Sequence, residues 1–251
     1  MSPRTAIKRV LILGGTTEAR ELAAELAKDR RWSIISSLAG RTRAPAHIAG
    51  DVRIGGFGGP SGLADFIRAD NVDVIIDATH PYADTISDNA RTAARATGCR
   101  YLRLCRPPWH PVSGDTWLDA ADNEAAARII KTGATALLTI GHKGLGPFIA
   151  RRDIRLIARM IEPMEGRAPD HVDIILKRPP FWLEDELALM RDRQVDTLVT
   201  KNAGGSMVAA KLAAARTLGL PVIMIARPQN QPHCDATTVS QTIALLNHED
   251  T

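Results

Sequence analysis

The chain has 251 residues, 45% of them hydrophobic and 24% charged, a composition that predicts a packed core and argues against intrinsic disorder. Its formal net charge is +4, but the basic residues are scattered and aromatic residues make up only 4%. We therefore expect an anionic small-molecule ligand and no nucleic-acid partner. No apolar run approaches the roughly 18 residues needed to cross a bilayer, so we expect no membrane partner.

The first segment, MSPRTAIKRVLILGG, has basic residues before a short apolar run that ends in a glycine turn. We interpret this segment as a first strand and not as a signal peptide. The cysteines Cys99, Cys105 and Cys234 show no C-x-x-C spacing, which argues against a disulfide framework or a zinc knuckle. A cytoplasmic protein without a metal site, either a monomer or a small homo-oligomer, is the resulting expectation.

Strand-like and helix-like runs alternate along the chain. In the first half we predict strands at 10–15, 33–40, 52–56, 72–79 and 100–105, and helices at 18–29, 62–70 and 84–97. A proline-rich linker follows at 106–115. The second half continues with helices at 122–131, 183–194, 207–218 and 240–247, and strands at 135–141, 153–161, 172–179, 196–205 and 221–228.

This alternation predicts an α/β fold of two Rossmann-like, doubly wound parallel-sheet lobes with a cleft between them. We place the N-terminal domain at 1–110 and the C-terminal domain at 111–251. Because parallel sheets bind ligands outside the carboxyl ends of their strands, the loops that follow the strands are the candidate site. These include IGGFGGP (54–60), a ligand loop or a flexible connection, and IGHKG (140–144).

The turn GGTTEA follows the first predicted strand. Gly14 and Gly15 would let the backbone approach a phosphate at a helix N-terminus. Thr16 and Thr17 add hydroxyl donors, and Glu18 suits the first helical turn. The third glycine of the usual dinucleotide fingerprint is missing, so a plain strand-to-helix turn remains an alternative.

The stretch SSLAGRTR ends the second predicted strand. An NAD site usually has an acidic residue there, whereas this chain has Ser36 and Ser37, followed by Arg41 and Arg43. Hydroxyl and guanidinium groups would accept the 2′-phosphate of NADP, which a carboxylate would repel. A solvated loop with ordinary arginines is the alternative.

Two further strand ends carry polar residues. In DATHPYA, His80 and Tyr82 could donate to a ligand and His80 could transfer a proton, although His80 could also only hydrogen-bond the backbone. In TKNAGG, Lys201 and Asn202 supply donors beside two glycines, which suggests a second anion-binding turn. Arg227 ends another strand, and a structural role is the alternative for both Lys201 and Arg227.

Together, LILGGTTEAREL, DATHPYA, TKNAGG with KLAAARTLGLPV, and the terminal IARP resemble the precorrin-6A reductase family of cobalamin synthesis over nearly the whole chain. The resemblance implies an NADPH-dependent reductase that transfers a hydride to a ring double bond of a polycarboxylate tetrapyrrole, without a metal. It implies that the first lobe binds NADP and the second binds the substrate. A reductase of another anionic substrate and a non-enzymatic NADP sensor remain alternatives.

The resemblance also assigns residues by position. Lys201, His80 and Tyr82 are the catalytic candidates. The residues expected to bind the cofactor, including Ser37 and Arg41 from the 2′-phosphate argument, are Gly14, Gly15, Thr16, Thr17, Glu18, Ser37, Arg41, Asp77, Ala78, Thr79, Asn202, Gly204 and Arg227. Five residues would serve the substrate, the cofactor or both: Lys201, Asn202, Gly204, Gly205 and Arg227.

Overall fold

The computed structural model describes residues 7–38, 48–164, 166–229 and 233–248. They form two compact units. The first contains the described residues up to Arg106 and those from Pro228 onward, and the second contains Pro107–Arg227. Each unit has one sheet whose paired strands are all parallel, so the predicted α/β fold with two parallel-sheet lobes is confirmed.

The first unit alternates strands and helices in the predicted order. Its elements up to Arg106 are β1 (Lys8–Leu13), α1 (Thr17–Leu26), β2 (Trp32–Leu38), β3 (Asp51–Ile54), α2 (Gly59–Ala69), β4 (Val74–Asp77), α3 (Asp84–Thr97) and β5 (Arg100–Arg103). The strand order is β3-β2-β1-β4-β5. The order reverses between β1 and β4, and such a switch point is where open α/β sheets bind their ligands.

The second unit contains six strands within its described residues. Its elements are β6 (Trp117–Ala120), α4 (Asn123–Ile129), β7 (Thr135–Thr139), α5 (Gly146–Ile149), β8 (Arg155–Met160), β9 (Val172–Leu176), α6 (Leu183–Asp192), β10 (Thr197–Lys201), α7 (Ala210–Thr217) and β11 (Val222–Ile225). The order β6-β11-β10-β7-β8-β9 places its switch point between β7 and β10. The chain then returns to the first unit, where α8 (Val239–Asn247) lies.

Helices cover both faces of the first sheet. Along β1, Val10 and Ile12 pack into one core cluster with residues of α1 and α8, whereas Leu11 and Leu13 pack into another with residues of α2 and α3. All four side chains are buried. Burial on both faces explains why this strand is a continuous apolar run in the sequence.

The sequence prediction missed or misplaced three elements of the second unit. The strand β6 lies between the predicted linker and the next predicted helix, where no element was assigned. It is a short edge strand with two exposed residues, and so lacks a clear apolar pattern. The short helix α5 was also missed. The helix predicted at 207–218 consists of a 3₁₀ turn, Ser206–Val208, followed by α7.

The boundary between the units differs from the predicted one. Residues 111–251 were assigned to the second lobe, but the structure groups the residues from Pro228 onward with the first. Leu246 of α8 shares a core cluster with Leu22 and Leu26 of α1, and the Arg100 guanidinium donates to the Leu245 carbonyl (2.8 Å). The pattern of α8 shows that it is amphipathic but not which sheet it covers.

Within the part of the chain that the structure describes, no helix has the length and apolar character that a bilayer span requires.

Candidate active site

The turn after β1 supports close approach of a ligand. Gly15 has a φ of +112°, which L side chains rarely adopt. A Cβ atom built on Gly15 would meet no atom within 4 Å, so the space beside the turn is open. The Gly14 N–H donates to the Ser37 carbonyl (2.9 Å), which joins the ends of β1 and β2. This geometry fits the predicted phosphate turn at the start of α1.

The hydroxyl of Thr16 forms two hydrogen bonds inside the first unit. The Oγ1 atom donates to the Ala78 carbonyl (2.7 Å) and accepts from the Ala19 N–H (3.1 Å) as the N-cap of α1. The prediction that this hydroxyl donates to a ligand does not match these contacts, because its one proton is already donated. Thr16 instead joins the turns that follow β1 and β4, on the two sides of the switch point.

Glu18 lies beside a residue that the sequence analysis did not select. The carboxylate of Glu18, in the first turn of α1, forms an ion pair with Arg106 (Oε2 to Nη1, 3.6 Å). Burial lowers the pKa of the Arg106 guanidinium, and Glu18 opposes this shift. Arg106 opens the predicted linker, and its position directly after β5 was the available signal. The Arg106 guanidinium therefore lies beside the Glu18 carboxylate, next to the glycine turn.

Asp77, predicted to contact the cofactor, is only 1% exposed. Its Oδ1 atom accepts from Thr79 Oγ1 (2.7 Å) and Thr79 N–H (3.1 Å). The Oδ2 atom accepts from the Tyr101 hydroxyl (2.8 Å) and lies 3.6 Å from Arg103 Nε. Asp77 therefore holds the loop after β4 through this buried network, and its predicted contact with the cofactor stays a prediction. Burial, followed by the Asp77 charge, raises the pKa of Tyr101.

His80 and Tyr82 lie in one turn on the far side of the switch point. Their ring centroids are 5.7 Å apart, and the Tyr82 N–H donates to His80 Nδ1 (3.3 Å). His80 is exposed and Tyr82 is half-buried. The structure thus brings these two predicted proton donors together near Ala78 and Thr79, which continue from β4.

The end of β2 has one unsatisfied hydroxyl. Ser36 is buried, and its Oγ has no hydrogen-bond partner. Ser37, the residue selected from the sequence, is also buried and accepts from Gly14 through its carbonyl. Arg41 and Arg43 lie outside the described residues. The 2′-phosphate assignment of Arg41 therefore stays a prediction.

In the second unit, the side chains of Arg227 and Asn202 form hydrogen bonds with backbone groups. Arg227 donates to the carbonyls of Asn202 (2.8 Å) and Ala203 (3.2 Å). The Asn202 side chain accepts from the Trp109 N–H (2.8 Å) and donates to the Trp109 carbonyl (3.0 Å). These contacts shape the loop after β10 and fasten the segment before β6, and the cofactor contacts predicted for Asn202 and Arg227 stay predictions.

The loop after β10 keeps the predicted glycine geometry. Gly204 and Gly205 have consecutive φ values of +69° and +86°, which only glycine adopts readily. Lys201, at the end of β10, is half-buried. Across the switch point, His142 and Lys143 follow β7 and are exposed. The sequence analysis placed His142 and Lys143 at a strand end without selecting them, and the strand order now brings that loop beside Lys201.

A substitution at Gly15 tests the first turn. Gly15→Ala places a methyl group in the open space and strains a backbone with positive φ, which costs about 1–3 kcal/mol. We expect the KM for the nicotinamide cofactor to rise roughly tenfold. Gly98→Ala is the matched control, because Gly98 also has positive φ and an open Cβ position but caps α3. Equal losses of cofactor affinity in both variants would contradict a phosphate role for Gly15.

The strand order, the glycine turn and the open space beside it define an α/β protein of the dinucleotide-binding type. Comparison with known proteins makes this specific. Residues 9–247 match the family model described as Precorrin-6x reductase CbiJ/CobK. The chain belongs to the precorrin-6x reductase family and is an oxidoreductase of cobalamin biosynthesis, which confirms the resemblance stated from the sequence.

Individual relatives agree with the family match. The chain is 49% identical to a precorrin-6A reductase of Rhodococcus erythropolis over 89% of this chain and 91% of the relative. It is 45% identical to a precorrin-6A reductase of Mycobacterium tuberculosis over 88% and 89%. A solved structure titled CobK precorrin-6A reductase superposes with a TM-score of 0.90 at 38% identity and covers 96% of each chain. Family and fold together indicate a nicotinamide cofactor.

Proposed function

We propose that the chain is an NADPH-dependent reductase that transfers a hydride to one ring double bond of precorrin-6A and gives the dihydro product precorrin-6B. One structural observation carries this proposal: the open space beside Gly15 at the switch point of the first unit. It supports a dinucleotide site in a chain whose relatives are named precorrin-6A reductases. Relatives named cobalt-precorrin-6A reductase are only 28–31% identical to this chain, so we propose the metal-free substrate.

The residues at the first switch point fit a dinucleotide. Gly15 leaves room for a pyrophosphate, and the N-terminus of α1 presents backbone N–H groups to it. Arg106 offsets the negative charge of Glu18 near this turn. The orphaned hydroxyl of Ser36 at the end of β2 fits a polar ligand atom, because an unsatisfied buried donor costs about 1–3 kcal/mol.

The chain itself supplies binding and orientation. When bound, NADPH supplies the hydride. Thr16 and Asp77 fix the two loops at the switch point through short internal hydrogen bonds. A loop whose carbonyls and hydroxyls are held in this way does not reorganise when the cofactor arrives, and correct orientation supplies a large part of the rate.

The second unit fits an anionic substrate. Lys201, His142 and Lys143 lie at the ends of the neighbouring strands β7 and β10. We assign Lys201 to the carboxylates or the developing charge of the tetrapyrrole. Arg227 and Asn202 position the loop that follows Lys201, as their backbone contacts indicate. The cleft between the two units stays a prediction.

The reduction also needs a proton. His80 is exposed and lies in the turn after β4, and an imidazole is a common proton donor. Tyr82 shares that turn. We propose that the proton comes from this pair or from solvent that reaches it. His80→Ala and Tyr82→Phe separate these sources by the pH profile of kcat.

The function is tested by following NADPH oxidation with the purified chain in the presence and absence of precorrin-6A. We expect oxidation only with the tetrapyrrole, together with a product heavier by two hydrogens. Oxidation that does not require it would indicate a reductase of another anionic substrate. Cofactor binding without oxidation would indicate a sensor. A parallel reaction with cobalt-precorrin-6A tests the metal-free assignment.

Arg41→Ala tests the choice of nicotinamide cofactor. The 2′-phosphate would lose a charge-assisted hydrogen bond that contributes about 1.5–3 kcal/mol. We therefore expect kcat/KM with NADPH to fall roughly 10- to 100-fold while the value with NADH stays unchanged. Arg167→Ala is the control, because Arg167 is a highly exposed arginine of the second unit. An unchanged ratio of NADPH to NADH would remove Arg41 from the site.

The remaining expectations from the sequence stay predictions: a cytoplasmic location, no nucleic-acid partner, and a monomer or small homo-oligomer.

A further inference from the structure

Two of the three cysteines, Cys105 and Cys234, contact the same backbone carbonyl in the first unit, and both residues are partly buried. The Cys105 N–H donates to the Ala236 carbonyl (2.9 Å). Cys234 Sγ lies 3.2 Å from the same carbonyl. One backbone group therefore holds both cysteines in place.

The segment that carries Cys234 is fastened to β5 by further contacts. Leu104 and Ala236 form an isolated parallel bridge. The Arg103 N–H donates to Asp235 Oδ2 (2.8 Å), and the Asp235 N–H donates to the Arg103 carbonyl (3.0 Å). Hydrogen bonds between these two backbone segments therefore place Cys105 and Cys234 beside each other.

The position of the pair in the chain gives it a structural consequence. The chain leaves the first unit after Arg106 and returns to it at Pro228. Cys105 comes just before the exit and Cys234 shortly after the return. A bond between them would close the inserted second unit into a loop, and it would join β5 directly to the segment that leads into α8.

We propose that Cys105 and Cys234 are a redox modification site that a peroxide converts reversibly into a disulfide. One thiolate attacks a peroxide oxygen, the O–O bond breaks, and a sulfenic acid forms with release of water. The second thiol then attacks the sulfenic sulfur, the S–S bond forms, and a second water leaves. The two sulfur atoms lose two electrons and the peroxide gains them.

The surroundings of Cys105 slow its reaction. Burial raises the pKa of Cys105 to about 12. A protonated thiol is a poor nucleophile. The oxidation should be slow near neutrality and faster as the pH rises.

Cys99 provides an internal control. Its thiol donates to the Val72 carbonyl (3.3 Å), and burial raises the pKa of Cys99 to about 11. Cys99 therefore contacts Val72, whereas the other two cysteines both contact the Ala236 carbonyl. Cys99 should stay reduced while the pair reacts.

The test treats the full chain with hydrogen peroxide and analyses it by intact mass and peptide mapping. We expect a loss of about 2 Da, a single linkage between Cys105 and Cys234, and full reversal by dithiothreitol. The crosslink restricts the unfolded chain, so the melting temperature of the oxidised form should rise by roughly 5 °C.

Single cysteine-to-serine variants show which two cysteines form the disulfide. Cys105→Ser and Cys234→Ser should each abolish the loss of about 2 Da, whereas Cys99→Ser should retain it. A linkage that includes Cys99, a crosslink between two chains, or only irreversible gain of oxygen would overturn the proposal. So would the absence of any disulfide after long exposure at about pH 9.

Discussion

Replacing Lys201 with alanine should lower kcat/KM for the tetrapyrrole roughly 10²-fold. Lys201 is half-buried at the carboxyl end of β10, beside the switch point of the second unit. In such a position a fixed charge acts more strongly than in water, and the removal of one stabilising donor typically costs about 10²–10³ in rate. Steady-state kinetics with varied tetrapyrrole separate the loss in kcat from the change in KM.

Two variants make the Lys201 result specific. Lys201→Arg keeps the charge and should recover part of the activity. Lys131→Ala removes an exposed lysine between α4 and β7 and should leave kinetics unchanged. If Lys201→Ala lowers the melting temperature while activity per folded molecule stays intact, Lys201 has a structural role and not a catalytic one.

Asp77→Ala should lower the free energy of unfolding by about 3–5 kcal/mol. This is the cost of removing one partner from a buried charged pair. Arg103 is 5% exposed and would lose the Asp77 carboxylate, and the Tyr101 hydroxyl would lose its acceptor. Thr79 would also lose both contacts that fix the loop after β4. Urea unfolding followed by circular dichroism measures the loss of stability.

The matched control for Asp77 is Asp65→Ala. The Asp65–Arg68 pair is exposed, and such surface pairs contribute about 0–1 kcal/mol. A positioning role for Asp77 also predicts a higher KM for NADPH in Asp77→Asn, measured below the unfolding transition. A stability loss below about 1 kcal/mol in Asp77→Ala would contradict the proposed network.

The sequence predicted most of the fold because burial on both faces leaves a strong pattern. β1 and β4 are continuous apolar runs bounded by turn residues, and the predicted order of strands and helices in the first unit is confirmed. The edge strand β6 has only four residues, two of them exposed, so its apolar pattern is too weak to detect. The return of α8 to the first unit depends on long-range packing that local patterns do not encode.

The site was predicted less completely, and for a different reason. Gly15 and Gly204 could be selected because a backbone with positive φ favours glycine. Which parts of its own unit a polar side chain bonds to depends on tertiary contacts. The internal hydrogen bonds of Asp77, Asn202 and Arg227 could therefore not be predicted from the sequence. Arg106 was overlooked because the prolines around it suggested only a linker.

Because α8 packs on the first sheet, the order of synthesis affects the order in which the two units fold. The first sheet acquires α8, which packs with α1 on one of its faces, only after the second unit has been synthesised. The second unit, which is encoded later than β1–β5, is complete before that helix emerges. Since domains generally fold as units during translation, we expect the later-encoded half to reach its native state first.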